Sequence, residues 1–170
     1  MPNIDLVPAA PEQQSIVANL LELYIHDFSE FLDIDLGSNG KFGYPDLPLY
    51  WSAPGRHPFL VKADGHWAGL VLVKEEPAIS TGQPTRDIAE FFILRRYRRH
   101  GIGTQVAHQV WRTFPGPWSI RVLQCNHAAR TFWERAITAF TGEPVEPSSF
   151  QRNGQPWTLF SFVSPAKEPE

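Results

Sequence analysis

A basic, glycine-containing loop between an apolar strand and an amphipathic helix constrains this chain more than any other feature. Residues Ile88–Leu94 are mostly apolar and predict a buried central strand, which Glu90 interrupts. Apolar residues at helical spacing predict a helix over Gly101–Phe114. The loop reads Arg98-Arg99-His100-Gly101-Ile102-Gly103-Thr104. Glycine lets the backbone approach a ligand, and the first N–H groups of a helix lack intrahelical partners, so the loop suits a bound anion such as pyrophosphate.

Other interpretations of this loop are a tight turn with a solvated basic patch, or one of two nucleotide-binding motifs. A Walker loop would need a Gly-Lys-Ser/Thr ending, which is absent. A dinucleotide fingerprint would need a third glycine where Val106 stands. Both nucleotide folds are therefore disfavoured.

Periodicity and turn residues predict the remaining elements. We expect an extended start at 4–7, an amphipathic helix over 13–31, a long irregular loop over 33–56, hairpins of 59–63 with 67–73 and of 145–152 with 157–163, a strand over 118–123 and a helix over 128–140. Asp64-Gly65 and Asn153-Gly154 are the two hairpin turns. The order strand, helix, strand, helix around the basic loop implies a parallel strand pair.

Length and composition predict one globular domain. The chain has 170 residues, of which 42% are hydrophobic, and we expect a single domain over 1–164 and a frayed tail over 165–170. Neither a signal-peptide pattern nor an unbroken apolar stretch of about 18 residues occurs, which argues against export and membrane insertion. The single cysteine, Cys125, fits a reducing compartment, so the cytoplasm is the expected location.

Charge is distributed unevenly along the chain. The first 50 residues hold eight acidic residues and one basic residue, whereas the remainder has a net charge of +4. Four arginines fall within Arg95–Arg99. The six histidines are scattered without partner carboxylates at metal-binding spacing, so no metal is expected.

Two motifs give the chain a family resemblance. Arg98-x-x-Gly101-x-Gly103 fits the signature Gln/Arg-x-x-Gly-x-Gly/Ala that follows a central strand in the GCN5-related N-acetyltransferase (GNAT) superfamily. The family often has Asn-x-x-Ala further on, with an aromatic residue seven positions after the asparagine, and here Asn126, Ala129 and Trp133 match it in order and separation. The chain resembles this superfamily closely over about 50 residues.

The resemblance implies both a fold and a cofactor site. The implied fold is α/β (α+β), with a mixed, mostly antiparallel central β-sheet, a splayed parallel strand pair and helices on both faces. The implied co-substrate is acetyl-CoA, with its pantetheine arm in the opening between the parallel strands. The implied contacts are Phe92, Ile93 and Leu94 with pantetheine, Arg98, Arg99, His100, Gly101, Ile102, Gly103 and Thr104 with pyrophosphate, and Asn126, Arg130 and Trp133 with the rest of the cofactor. Asn126 also suits a helix N-cap, and the two roles can coexist.

Catalysis in such an enzyme requires a neutral amine, an oxyanion donor and, in some members, an acid for the leaving thiolate. The resemblance places a catalytic base at Glu90, and the alternative is a glutamate paired with an arginine or facing solvent. An N–H near Ile93 or Leu94 would stabilise the oxyanion. Trp133 occupies the usual position of a tyrosine acid, and an indole does not supply a proton. Trp133 is therefore also a candidate core aromatic. If an acid is needed for the leaving thiolate, Tyr24, Tyr44 or Tyr97 could take that role.

The acceptor is expected to be a small-molecule or peptide amine. The family uses its first helices and their connecting loop as one wall of the acceptor site, and here that region is acidic and aromatic. Its members are Glu30, Asp33, Asp35, Asp46, Phe42, Tyr44, Tyr50 and Trp51, of which Glu30, Asp33, Tyr44 and Trp51 are the principal candidates. Charge pairing and cation–π contact would favour a cationic amine.

Two other functions remain open at this point. A non-catalytic acyl-CoA-binding or sensor domain of the same fold would bind CoA without turnover. A nucleic-acid-binding protein would use the arginines of Arg95–Arg99 as a phosphate patch, with Tyr97 stacking on bases. The net charge of −3 and the lack of an extended basic stripe argue against nucleic acid. The resemblance also leaves a homodimer open, since homodimers are common in the superfamily.

Overall fold

The computed structural model describes residues 1–166, so residues 167–170 of the predicted tail lie outside the described residues. Its strands are β1 Ile4–Pro8, β2 Arg56–Ala63, β3 His66–Pro77, β4 Pro84–Ile93, β5 Gly116–Leu123, β6 Ser148–Arg152 and β7 Gln155–Ser164. Its helices are α1 Gln14–Phe28, α2 Leu49–Ser52, α3 Ile102–Thr113 and α4 His127–Thr141, with 3-10 turns at Pro11–Gln13 and Arg95–Tyr97.

The described strands form one sheet in the order β1-β2-β3-β4-β5-β7-β6. β4 pairs with β5 in parallel, with Arg86 opposite Trp118 and Asp87 opposite Ser119. The pairs β1–β2, β5–β7 and β6–β7 are antiparallel. α3 connects β4 to β5, and such a crossover is what two parallel neighbours require. The predicted fold class, a mostly antiparallel mixed sheet with one parallel pair and helices, is confirmed.

Several element boundaries differ from the prediction. α1 ends at Phe28 rather than at 31, and the chain continues into a tighter turn in which the Phe31 N–H donates to the Phe28 carbonyl at 3.0 Å. The predicted loop over 33–56 contains the one-turn helix α2. β3 and β4 extend further than their apolar runs, since their polar ends are held by ion pairs such as Arg86 with Glu75. Both predicted hairpin turns are confirmed, and Asp64 and Asn153 each adopt positive φ there.

Two compact units make up the described chain, and the first contains residues 1–73 and 89–102. Its core joins α1 to the strands through Leu21, Leu60, Leu70 and Phe92. The irregular loop contributes Leu47 and Tyr50 to the same core, which fixes part of that loop in place.

Gly69 lets two backbones of this first unit approach closely. A Cβ atom at Gly69 would lie 2.1 Å from the Phe92 carbonyl oxygen and 3.1 Å from the Ile93 Cα. No side chain fits at that distance, so glycine is required here for steric reasons. The approach sets the position of the end of β4, where the basic loop begins.

The second unit contains residues 74–88 and the described part of 103–170. Aromatic side chains fill its core: the Trp111 ring lies 4.8 Å from that of Phe162 and 5.1 Å from that of Phe140, centroid to centroid. On β4 and β5, the fully buried Asp87 carboxylate binds the Arg121 guanidinium through both of its oxygens. This ion pair holds the parallel strands together through side chains as well as backbone.

Candidate active site

The loop between β4 and α3 has an unusual backbone conformation just before the helix begins. Arg99 and Gly101 both adopt left-handed conformations, with φ of 65° and 75°. At Gly101 the constraint is the dihedral angle rather than space, since a Cβ would meet nothing within 4 Å. At Arg99 the same conformation costs about 1–2 kcal/mol, so the surrounding structure imposes it. The 12-residue helix α3 begins at Ile102, directly after this turn, and its first N–H groups have no helical acceptors.

The arginines of the loop divide into two groups. Arg98 is turned back onto the protein: its Nε donates to the Ile93 carbonyl at 2.7 Å and its Nη2 donates to Asp27 at 2.7 Å. Arg95 donates to the other oxygen of Asp27 at 2.6 Å. Arg99 is exposed, and no carboxylate within residues 1–166 pairs with it. The side chain of Arg98 therefore shapes the loop, whereas that of Arg99 is placed to attract an anion.

Asp27, near the end of α1, is a residue that sequence reasoning missed and that holds two arginines of this loop. Burial alone would raise the pKa of its carboxyl, but hydrogen bonds and charge from Arg98 and Arg95 outweigh burial and hold that pKa below its ordinary value. Asp27 is thus ionised near neutral pH and fixes both arginines. Nothing in the sequence distinguishes Asp27 from the other acidic residues of the first 50.

At the end of β4, one of the backbone N–H groups predicted to contact a ligand is already hydrogen-bonded within the sheet. The Leu94 N–H donates to the Ala68 carbonyl at 2.8 Å, so it is already used between β4 and β3. The prediction that Leu94 donates to an oxyanion is therefore not supported. Successive N–H groups of a strand point to opposite sides, so the Ile93 N–H points away from β3 and is the better candidate. Phe92 is buried, with its carbonyl against Gly69.

Glu90, the predicted base, is hydrogen-bonded to a tyrosine of the irregular loop. The Tyr44 hydroxyl donates to Glu90 Oε1 at 3.0 Å, and both side chains are partly buried. Burial, followed by the negative charge of Glu90, raises the pKa of Tyr44 far above its ordinary value. Tyr44 therefore remains protonated, and its role as a substitute acid is disfavoured because it donates to Glu90.

The other predicted acceptor residues occupy different surroundings. Glu30, Asp33, Asp35 and Asp46 are exposed, which leaves their charges accessible to a cation. Trp51 is partly buried, and its indole N–H donates to the Ala9 carbonyl at 2.8 Å. Trp51 therefore anchors the loop, whereas Tyr44 is the predicted acceptor residue that contacts Glu90.

Glu22 on α1 also holds the irregular loop, a role that no sequence pattern indicates. Its two carboxylate oxygens accept hydrogen bonds from the backbone N–H groups of Phe42 and Gly43, each at 2.8 Å. These two residues directly precede Tyr44. Glu22 therefore fixes the segment of loop from which Tyr44 reaches Glu90.

In the second unit, the candidate residues lie at the start of α4. Asn126 is its N-cap, and the side-chain oxygen accepts from the Ala129 N–H at 3.1 Å, so the capping role is confirmed. Arg130 is partly exposed on the first turn. Trp133 is 7% exposed, and its ring lies 6.1 Å from that of Trp111, centroid to centroid. Burial among aromatic rings favours the interpretation of Trp133 as a core residue rather than a cofactor contact.

Neither a metal-binding group nor a membrane-spanning helix is found in the part of the chain that the structure describes. Within residues 1–166, no group of His, Cys, Asp and Glu side chains is arranged to hold a metal ion. No helix in that range is long and apolar enough to cross a membrane.

Comparison with known proteins shows which family this chain matches. Residues 18–137 match the model of the acetyltransferase (GNAT) family. Comparison with curated proteins found no match.

Solved structures with the same fold include three of different origin. An acetyltransferase from Thermus thermophilus has a TM-score of 0.64 at 16% identity, with 95% of this chain and 97% of that chain covered. Arabidopsis thaliana NAA60 in complex with acetyl-CoA has a TM-score of 0.62 at 17% identity, covering 95% and 98%. Spermidine N-acetyltransferase from Vibrio cholerae in complex with CoA and spermine has a TM-score of 0.63 at 14% identity, covering 95% of each chain.

Proposed function

The chain belongs to the acetyltransferase (GNAT) family, and on that premise we propose that it transfers an acetyl group from acetyl-CoA to a primary amine. The amine would attack directly, while both substrates are bound. The observation that carries this proposal is the loop after β4, where two left-handed residues lead directly into the N-terminus of α3.

This loop fits the pyrophosphate of acetyl-CoA. Unpaired N–H groups and the helix dipole at the start of α3 favour negative charge. We assign phosphate contacts to the backbone of 99–104 and to the Arg99 side chain, which no carboxylate within residues 1–166 neutralises. Arg98 supports the loop from behind through Asp27 and the Ile93 carbonyl. Asn126 and Arg130 stay predicted cofactor contacts.

Glu90 is the proposed general base. It would accept a proton from the acceptor ammonium group, directly or through water, and leave a neutral amine. The amine nitrogen then forms a bond to the thioester carbonyl carbon, and the C–S bond breaks. The nitrogen loses its remaining extra proton, which the departing thiolate takes up, so that the products are the amide and CoA. The Ile93 N–H is the proposed donor to the carbonyl oxygen. No dedicated acid is required, because a thiol with a pKa of about 8.5 is an adequate leaving group.

The acceptor is proposed to be a cationic amine, either a polyamine or a peptide N-terminus. Among the structural neighbours, one is a spermidine N-acetyltransferase with bound spermine, and another is a complex with a bisubstrate analogue, CoA-Ac-MVNAL. The exposed acids Asp33, Asp35 and Asp46 support a cationic acceptor by long-range attraction. Changing all three to Asn should raise the KM for spermidine while leaving acetyl-CoA affinity unchanged. We also propose a cytoplasmic location, on the basis of the single cysteine.

Calorimetric titration with acetyl-CoA tests the cofactor site. The wild type should bind with micromolar affinity, and a Gly101→Glu/Gly103→Glu variant should lose binding by at least about tenfold, because two carboxylates would repel the pyrophosphate. Gly82→Glu is the matched control: it places a glutamate at another glycine of positive φ, in the β3–β4 turn, and should bind normally.

The outcomes separate this function from its rivals. Binding followed by acetylation of spermidine or of a peptide N-terminus supports the proposal. Binding without turnover on either amine would favour a sensor domain. No acetyl-CoA binding by the wild type, together with salt-sensitive binding to DNA, would overturn the proposal in favour of a nucleic-acid-binding role for the arginines of Arg95–Arg99.

A further inference from the structure

We propose that Tyr44 is a positioning residue, which holds the carboxylate of Glu90 in place for proton transfer from the acceptor amine. The inference rests on the proposed function and adds a residue to it. The Tyr44 hydroxyl lies 3.0 Å from Glu90 Oε1, which is hydrogen-bonding distance. Tyr44 is 46 residues away from Glu90 in sequence, so the irregular loop and the sheet meet at this contact.

The direction of this hydrogen bond is fixed. A carboxylate can only accept, so the hydroxyl must donate. Burial and the charge of Glu90 raise the pKa of Tyr44 and keep it protonated at all ordinary pH values. The Tyr50 hydroxyl interacts with that of Tyr44, and Tyr50 is only 3% exposed. The buried Tyr50 side chain thus holds the Tyr44 hydroxyl in place. The Tyr44 hydroxyl in turn orients the Glu90 carboxylate.

The position of Tyr44 depends both on packing of its ring against the core and on hydrogen bonds that hold the preceding backbone. A cavity of about 290 Å³ lies beside α1 and the loop, and Glu22 and Tyr44 both line it. At its wall, the Glu22 carboxylate accepts hydrogen bonds directly from the N–H groups of Phe42 and Gly43. A chain of contacts therefore runs from α1 through the loop backbone to Tyr44 and on to Glu90.

This chain of contacts links the acceptor region to the base. A general base must lie within about 2.6–3.2 Å of the proton it removes, or be linked to it by one water, so a misdirected carboxylate loses activity even when it remains ionised. An acceptor that displaced the loop would move Tyr44 and, with it, the Glu90 carboxylate. Through Tyr44, the rate of turnover therefore depends on the position of the loop.

Steady-state kinetics of Tyr44→Phe, with an amine that the wild type acetylates, tests this role. The variant keeps the ring in the core and removes only the hydroxyl. We expect kcat to fall about tenfold, with the Kd for acetyl-CoA unchanged, since orientation matters in the transition state. Ser52→Ala is the matched control, because it removes a hydroxyl hydrogen bond of 3.1 Å from the same loop without touching Glu90, and its kcat should match the wild type.

A double-mutant cycle separates positioning from general loop damage. If Tyr44 acts through Glu90, adding Tyr44→Phe to Glu90→Gln should cause no further loss of kcat. Additive losses, or a Tyr44→Phe variant with wild-type kcat, would overturn the inference. The melting temperatures of all variants should also be measured. If kcat falls only in variants that are partly unfolded, the positioning role of Tyr44 is refuted.

A spectroscopic measurement tests the contact without turnover. The carboxyl resonance of Glu90 can be identified in ¹³C-glutamate-labelled protein as the signal lost in Glu90→Gln. At neutral pH it should shift in Tyr44→Phe and remain in place in Ser52→Ala. A wild type that acetylates no amine, with this shift present, would refute the proposed function but preserve the contact, whereas an unshifted signal would refute the inference itself.

Discussion

Asp27 binds Arg98, the arginine of the family motif, from the end of the first helix: its Oδ2 oxygen accepts a hydrogen bond from Arg98 Nη2 at 2.7 Å. The same guanidinium donates through Nε to the Ile93 carbonyl at 2.7 Å. The motif alone would assign the Arg98 side chain to phosphate binding, but its guanidinium is already hydrogen-bonded to other groups of the protein. Its contribution is to hold the loop in shape.

Asp27→Asn should lower the free energy of unfolding by less than about 1 kcal/mol, because both arginine partners are substantially exposed. The pKa of Asp27 is lowered by folding, so its stabilisation is present above its unfolded-state pKa and is lost as pH falls through the folded-state pKa. The difference between wild type and variant should thus vanish at low pH. Urea denaturation at about pH 7 and about pH 3 measures this, with exposed Asp5→Asn as control. An undiminished difference at low pH would refute the ion-pair explanation.

Gly69→Ala should destabilise the protein by about 1–3 kcal/mol, the range expected for overpacking. The new methyl group would lie 2.1 Å from the Phe92 carbonyl oxygen, so backbone of β4 would have to move. Gly37→Ala is the matched control, since its nearest neighbours are at 3.1 and 3.2 Å on an exposed loop that can adjust. Chemical denaturation of both variants provides the comparison. Equal stabilities would show that β4 is not held by this approach.

Arg121→Met should destabilise the protein by about 3–5 kcal/mol, because it leaves the fully buried Asp87 carboxylate without its partner. Burial raises the pKa of Asp87, and the Arg121 charge opposes this shift. In the variant the pKa should rise further, so lowering the pH through that value should relieve part of the loss as the carboxyl becomes neutral.

The double variant Asp87→Leu/Arg121→Met supplies the control for that ion pair. Without either charge it should recover most of the stability lost in Arg121→Met, as measured by thermal and urea denaturation. A double variant that is no more stable than Arg121→Met would show that packing of the arginine stem, rather than the buried charge, causes the loss.

Trp133→Phe should leave kcat within about twofold of the wild type, since the aromatic core would be kept and an indole supplies no proton. Trp133→Ala should cost about 3–5 kcal/mol of stability, because the side chain is 7% exposed and packs against Trp111 and Phe132. Kinetics and denaturation of both variants test this. A hundredfold fall in kcat for Trp133→Phe at normal stability would instead assign a role to the indole N–H.

The sequence by itself determined all the longer elements and the parallel strand pair, but not the short helix α2. Local patterns carry that information: Asp64-Gly65 and Asn153-Gly154 specify hairpin turns, and apolar periodicity specifies the helices α1, α3 and α4. Its motif also located the loop from Arg98 to Thr104 at a strand-to-helix junction, because glycine and helix-start chemistry are local properties. Boundaries differ where side-chain contacts lie beyond an apolar run, as with the Arg86–Glu75 ion pair at the ends of β3 and β4.

Only the tertiary structure decided which side chains act together. No local pattern distinguishes Glu22 or Asp27 from the other acidic residues of the first 50, and none indicates that Tyr44 contacts Glu90. The fold brings Asp27 to Arg98 across 71 residues and Tyr44 to Glu90 across 46. Hydrogen bonds are short-ranged and directional, so partners this distant in sequence meet only after strands and helices have packed. The arrangement of the proposed base and of the basic loop follows from that packing.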